Sequence, residues 1–93
     1  MYERILKRMR DTVRTRQYIM TLHAVEEMDD DGLSVFDVEH IVLTGEIVER
    51  QNDDKTYDDK YLVAGYTLSD ERAFVVSKIS PTGKLIIITV FPE

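Results

Sequence analysis

The hydrophobic rhythm of the chain changes near Gly45, from mostly helical spacing before it to strand-like runs after it. In residues 2–15, Ile5, Leu6, Met9 and Val13 fall on one stripe at i, i+1, i+4 and i+8 with basic residues opposite, which predicts an amphipathic helix. "QYIMTL", residues 17–22, is short, rich in strand formers and bounded by charge, and predicts a strand. A second helix is expected from His23 to about Asp30, stopped by Gly32. Ser34 and Asp37 have capping-box spacing at the start of a third, with Val35, Val38, Ile41 and Val42 as its buried face and Gly45 as its terminator.

After Gly45, "EIVER", "KYLVAGYTL", "AFVVSKI" and "KLIIITVF" read as strands, separated by the acidic stretch "NDDKTYDD" and the turns "SDER" and "SPTGK". The last three strands are joined closely enough to form an antiparallel meander. In the third, Phe74, Val76 and Lys78 share one face and Ala73, Val75, Ser77 and Ile79 the other. The last is apolar on both faces over Leu85 to Ile88, as expected for a central strand. The acidic loop at 52–59 is the expected mobile segment. The predicted fold class is α+β: an N-terminal helix, a short strand, two short helices, then an antiparallel sheet of about four strands. One domain over residues 1–93 is expected, divided into a basic helix (1–16) and an α+β core (17–93), with truncation of residues 1–15 leaving the sheet folded.

Charge sharpens that division. Residues 1–16 hold six basic side chains (Arg4, Lys7, Arg8, Arg10, Arg14, Arg16) against Glu3 and Asp11, a balance of +4 in a chain whose net charge is −6. A domain that holds nucleic acid over its whole surface is expected to be basic, so any RNA contact is expected at the basic end. The chain has no cysteine, which excludes a disulfide, a thiolate zinc site and a cysteine nucleophile. "MYERILKRMRDTVRTRQ" lacks the apolar core of a signal peptide and the longest apolar run is too short for a bilayer, so a cytoplasmic protein with no membrane segment is expected.

His23 is the leading chemical candidate, because imidazole exchanges a proton near neutral pH and a strand-to-helix junction is where sites are often built. The bland alternative makes it a helix cap, with Glu26 reaching back as in a capping box. A pairing with Glu27 would favour the charged imidazole, suited to an acid or a phosphate-holding cation. His23 with Glu26 or Glu27 falls short of a metal ligand set, and His40 lies on the polar side of its helix, so no metal and no cofactor is expected. There is no nucleophile elbow, P-loop or dinucleotide fingerprint. Metal-independent RNA cleavage needs only a proton-transfer pair and cations near the phosphate. His23, Tyr66, Arg72 and Lys78 are the candidate catalytic residues and Arg50 the candidate substrate contact.

"LHAVEEM", "DGLSVFDVEHIVLTGEIVE", "YLVAGYT" and "IIITVF", in that order over about residues 17–91, resemble the domain of unknown function 4258 family. The likeness lies in His23-Ala24 followed by Met28, the Gly-Leu-Ser helix start, Gly45 and the closing Thr-Val pair. That family is similar to RelE-like and BrnT-like toxins, which the resemblance implies share a helix-plus-antiparallel-sheet fold and cut RNA without metal beside a small antitoxin-like protein. On that analogy His23 is the characteristic histidine, while Glu27 stands where relatives have an arginine and would repel a phosphate. Two readings follow. One is a toxin-like ribonuclease with a cognate antitoxin-like partner and RNA as substrate. The other is a non-catalytic interaction module that pairs with a protein or with its own copy through the N-terminal helix or a sheet edge.

Overall fold

The computed structural model describes residues 1–53 and 58–93, so the centre of the acidic loop expected to be mobile lies outside the described residues. Helix α1 (Glu3–Arg14) buries Met9 and Val13 completely or nearly so, with Ile5 and Leu6 packed at the edge of the same core. Its apolar stripe is therefore used within this domain. Arg10 strengthens the attachment: its Nε donates to the Val42 carbonyl at 3.2 Å and its Nη2 to the Gly45 carbonyl at 2.7 Å. A cation on the last carbonyls of a helix satisfies orphan acceptors and opposes the negative end of the helix dipole. Residues 1–14 supply part of the core itself, a packing that argues against the expectation that the sheet stays folded without residues 1–15.

Strand β1 (Tyr18–Met20) is shorter than the sequence run, because Thr21 leaves the strand to cap helix α2 (Leu22–Asp30), accepting from the Ala24 amide at 3.1 Å. The same hydroxyl donates to the Ile88 carbonyl at 3.0 Å, so the cap is also pinned to the sheet. The alternative in which His23 caps this helix is thereby corrected: a hydroxyl two residues earlier fills that place. Gly32 ends α2 at φ +67° in a Schellman arrangement, with Leu33 N–H on the Met28 carbonyl and Gly32 N–H on the Asp29 carbonyl. Helix α3 (Val35–Thr44) begins with the expected capping box between Ser34 and Asp37.

The sheet has five strands in the order β1-β5-β4-β3-β2, where β2 is Glu46–Asp53, β3 Asp58–Tyr66, β4 Arg72–Ile79 and β5 Leu85–Pro92. Strands β2 to β5 form an antiparallel meander, and β1 adds a parallel edge to β5 through Tyr18↔Leu85, Ile19↔Ile86 and Met20↔Ile87. The short first strand therefore joins the sheet as a fifth member. A register shift leaves Ile88 unpaired between Ile87 and Thr89. That extra residue lets Leu85, Ile87 and Val90 all reach the core despite their uneven spacing. All three helices contribute to one core cluster with Tyr61, Val63, Ala73, Val75 and these β5 residues. They cover one face of the sheet; among the described residues the opposite face carries no helix.

Candidate functional site

The uncovered face is set by the pairing registers. Leu62↔Val76, Ala64↔Phe74 and Tyr66↔Arg72 stand on it across β3 and β4, and Phe91↔Phe74, Thr89↔Val76 and Ile86↔Lys78 continue it across β5. Residues directly opposite in an antiparallel pair share a face, so the strand period fixes this set. The Phe74 and Phe91 rings stack at 5.1 Å with 24° between their planes. The Arg72 guanidinium carbon lies 5.7 Å from the Tyr66 ring centre and 5.6 Å from that of Phe74. Tyr66, Arg72, Phe74 and Phe91 thus form one row of planar groups across three strands. Arg72 is held in the row by an ion pair with Glu93 at 2.7 Å.

At the Tyr66–Arg72 end the face opens into a cleft of about 210 Å³, lined by Thr44, Gly45, Glu46, Val48, Ala64, Gly65, Tyr66 and Arg72. Two glycines shape this corner. A Cβ on Gly45 would sit within 2.5 Å of the Ile41 carbonyl oxygen and closer still to that of Ala64, and a Cβ on Gly65 would meet the Gly45 Cα at 3.2 Å. The end of α3 therefore lies against β3, and β2 can leave α3 sharply enough to place Glu46 beside the cleft. Val48, the extra residue of a second register shift, lies on its rim.

The structure brings together two of the five residues singled out from sequence, Tyr66 and Arg72. Lys78 shares their face but lies six residues along β4 from Arg72, roughly 20 Å at the rise of an extended strand. Arg50 pairs with Tyr61 and so shares the side covered by the helices. There burial raises the Tyr61 phenol above its ordinary value, with Asp59 adding to the effect and Arg50 opposing it. His23 lies on α2, whose buried residues Ala24 and Met28 pack against the covered face, and its side chain is 66% exposed.

Glu27 has a defined structural partner. One of its oxygens accepts from the Val90 amide at 3.0 Å and lies 3.3 Å from His23 Nε2. Strand β1 covers only Leu85 to Ile87, and beyond it Thr21 and Glu27 occupy the hydrogen-bonding edge of β5. An acid at this position satisfies an edge donor, which accounts for its presence without any phosphate nearby. His40, expected on the solvated side of its helix, is half-buried. Among the described residues no three His, Asp or Glu side chains are grouped so as to hold a metal ion, and no helix is long and apolar enough to cross a membrane.

Sequence reasoning passed over Glu46, Phe91 and the pairing role of Phe74. Phe74 was placed on the correct face by its strand period, yet its stacking depends on the β4–β5 register, which the turn and the Ile88 bulge determine together. Glu46 carried a local signal in its position immediately after Gly45, where a helix end turns into a strand.

Fold and cleft together define a small α+β domain with helices on one sheet face and an aromatic-basic row on the other. Residues 20–92 match the family described as Domain of unknown function (DUF4258). The chain belongs to that family. No curated protein and no solved structure matches it.

Proposed function

We propose that this is a toxin-like domain that cleaves single-stranded RNA without a metal ion, with Arg72 holding the scissile phosphate and Tyr66 supplying a proton. The observation that carries this reading is the meeting of Tyr66 and Arg72, cross-strand neighbours, at the mouth of a cleft on the uncovered sheet face. A guanidinium kept in place by a neighbouring carboxylate presents its remaining donors in a fork matched to phosphate oxygens. Phenylalanine and tyrosine rings on an open sheet give unpaired bases surfaces on which to stack, which favours single-stranded over duplex RNA. A cognate antitoxin-like partner would act by covering this face.

The test is cleavage of a single-stranded RNA in EDTA, at low and moderate salt, because salt weakens the Arg72–phosphate contact while it screens the repulsion from the acidic body. Arg72→Ala is expected to abolish cleavage and Tyr66→Phe to slow it by about 100-fold, the usual scale of a lost proton donor. His23→Ala is expected to cleave like wild type, all proteins being equally folded by circular dichroism. Cleavage lost with His23→Ala and kept with Arg72→Ala would move the site to α2. A second reading, a non-catalytic docking module, is favoured by the half-buried Leu62 and Ile86 on the same face, which is more apolar than phosphate binding requires. Wild type that fails to cleave at any salt concentration supports that reading.

A further inference from the structure

Glu46 lines the same cleft as Tyr66 and Arg72. It pairs with Ala64, two residues from Tyr66 on β3, while Arg72 pairs with Tyr66 from the other side. Three adjacent strands thus place a carboxylate, a phenol and a guanidinium in order, with the carboxylate and phenol at the diagonal spacing of roughly 7–8 Å between Cα atoms that long side chains can close.

The backbone that carries Glu46 is unusually constrained for a strand end. The Gly45 amide donates to the Ile41 carbonyl at 2.8 Å, the Gly45 carbonyl accepts from Arg10 at 2.7 Å, and the space where a Gly45 Cβ would stand is filled. Among the described residues the Glu46 side chain itself makes no hydrogen bond or ion pair, although it stands on a mapped cleft wall. It is an anchored, uncommitted carboxylate. The titratable and charged groups around it include Tyr66 and Arg72 in the cleft, Arg10 on the neighbouring Gly45 carbonyl and, toward the N-terminus, the Met1 ammonium, Tyr2 and Glu3, which line an adjoining depression with Glu46.

We infer that Glu46 is the proton acceptor that activates the ribose 2′-hydroxyl, an inference that rests on the ribonuclease reading above. The Glu46 carboxylate takes the 2′-hydroxyl proton as the 2′-oxygen attacks the adjacent phosphorus. The bond from phosphorus to the 5′-oxygen breaks, and the departing oxygen takes the Tyr66 phenolic proton. The products are a 2′,3′-cyclic phosphate and a 5′-hydroxyl, with Arg72 balancing the charge that builds on the phosphoryl oxygens. Proton exchange with water restores the Glu46 carboxylate and the Tyr66 phenol. No oxidant, metal or second substrate is consumed.

This role separates Glu46 from a residue that merely shapes the cleft or repels RNA. With wild type, Glu46→Gln and Arg72→Ala, the experiment measures kcat and KM for a single-stranded RNA across pH in EDTA. Binding of a 2′-O-methyl RNA, which lacks the attacking hydroxyl, is followed by fluorescence anisotropy. Glu46→Gln is expected to lower kcat by about 100-fold, to keep KM and 2′-O-methyl RNA affinity within a few-fold, and to lose the rise of rate with pH in the acidic range. Arg72→Ala is expected to weaken binding as well. A Glu46→Gln protein with wild-type kcat and pH profile overturns the proton-acceptor role and leaves the ribonuclease reading standing. Equal kcat with tighter binding makes Glu46 a repulsive wall, and again overturns the role alone. A wild type that binds the 2′-O-methyl RNA but cleaves no RNA overturns both.

Discussion

The two faces of β4 do different work. Ala73, Val75 and Ser77 are sealed beneath the helices, while Arg72, Phe74, Val76 and Lys78 stand on the side that no helix covers. One strand, with one alternation of residues, serves two purposes. The covered face is close to a stability element alone: Val63, Val75, Leu85, Ile87 and Val90 are excluded from solvent there by α1, α2 and α3. On the open face Ala64 and Val76 are buried too, but Tyr66 and Arg72 stay accessible although they meet as a pair. Changes on the two faces should therefore separate folding from function.

The largest expected effect comes from removing α1. Met9 is 0% exposed and Val13 4%, and the loss of a buried methionine alone costs about 2–5 kcal/mol. Deleting residues 1–15 removes both side chains and the Arg10 bonds to α3, so the shortened chain is expected to be unfolded by circular dichroism. A cooperative urea transition in the truncated protein would show that the sheet and the other two helices suffice. Gly45→Ala comes next. It forces a methyl group against two carbonyl oxygens and should cost about 1–3 kcal/mol, the range of overpacking, while the cleft beside it loses its shape.

Asp37 links the covered side to the turn after β3. Its carboxylate accepts from Ser34 N–H at 2.9 Å and from Leu68 N–H at 2.9 Å, and the Ser34 backbone hydrogen bond, foremost among these contacts, lowers its pKa from the ordinary value. A lowered pKa contributes stability that is present above the unfolded value and is lost as pH falls through the folded one. Asp37→Ala is expected to cost about 1 kcal/mol at neutral pH, and its deficit in urea unfolding should shrink in acid, where the wild-type carboxyl is protonated too. A deficit that stays constant down to acid pH would assign the effect to something other than the charge.

How much of this was legible in the sequence depends on distance along the chain. The Ser34–Asp37 box, the Gly32 and Gly45 stops and the Ile5, Leu6, Met9, Val13 stripe are local patterns, and each is found where its spacing placed it. The parallel pairing of β1 with β5 joins residues about 67 positions apart through three-residue contact, which no local period announces. Thr21 falls inside the expected strand 17–22, because its role as cap depends on a bond to Ile88 that is tertiary. Glu27 was read through its neighbours His23 and Met28, whereas its amide partner, Val90, lies on the last strand. Of the site, the residue types are legible for Tyr66, Arg72 and Lys78, but a face is legible only for Lys78, because Arg72 falls in the expected turn "SDER" whereas it is the first residue of β4. Their separation into one close pair and one distant lysine followed from the register.

Ser77 tests the covered face with the opposite sign. Its hydroxyl is fully buried and, among the described residues, has no hydrogen-bond partner, in a row otherwise made of Ala73, Val75 and Ile79. An unpaired buried hydroxyl costs free energy that an alanine of nearly the same shape does not, so Ser77→Ala is expected to raise stability by about 1 kcal/mol. Differential scanning calorimetry reads this as a rise of about 4–8 °C in Tm for a domain of this size. A lower Tm would mean that the hydroxyl is satisfied in solution by a water molecule held inside the core.

The smallest effect on stability belongs to the open face, and there a small effect is the informative result. Arg72→Gln removes an ion pair with the half-exposed Glu93 and two ring contacts, groups that solvent already screens, and should change stability by less than about 1 kcal/mol. Placed beside Gly45→Ala, which alters the same cleft from its buried side, it separates two ways of losing function. Gly45→Ala should lower the urea midpoint and RNA cleavage together, whereas Arg72→Gln should abolish cleavage with the midpoint nearly unmoved. If Arg72→Gln instead unfolds as readily as Gly45→Ala, the aromatic row supports the fold, and the division of this sheet into a stability face and a working face fails.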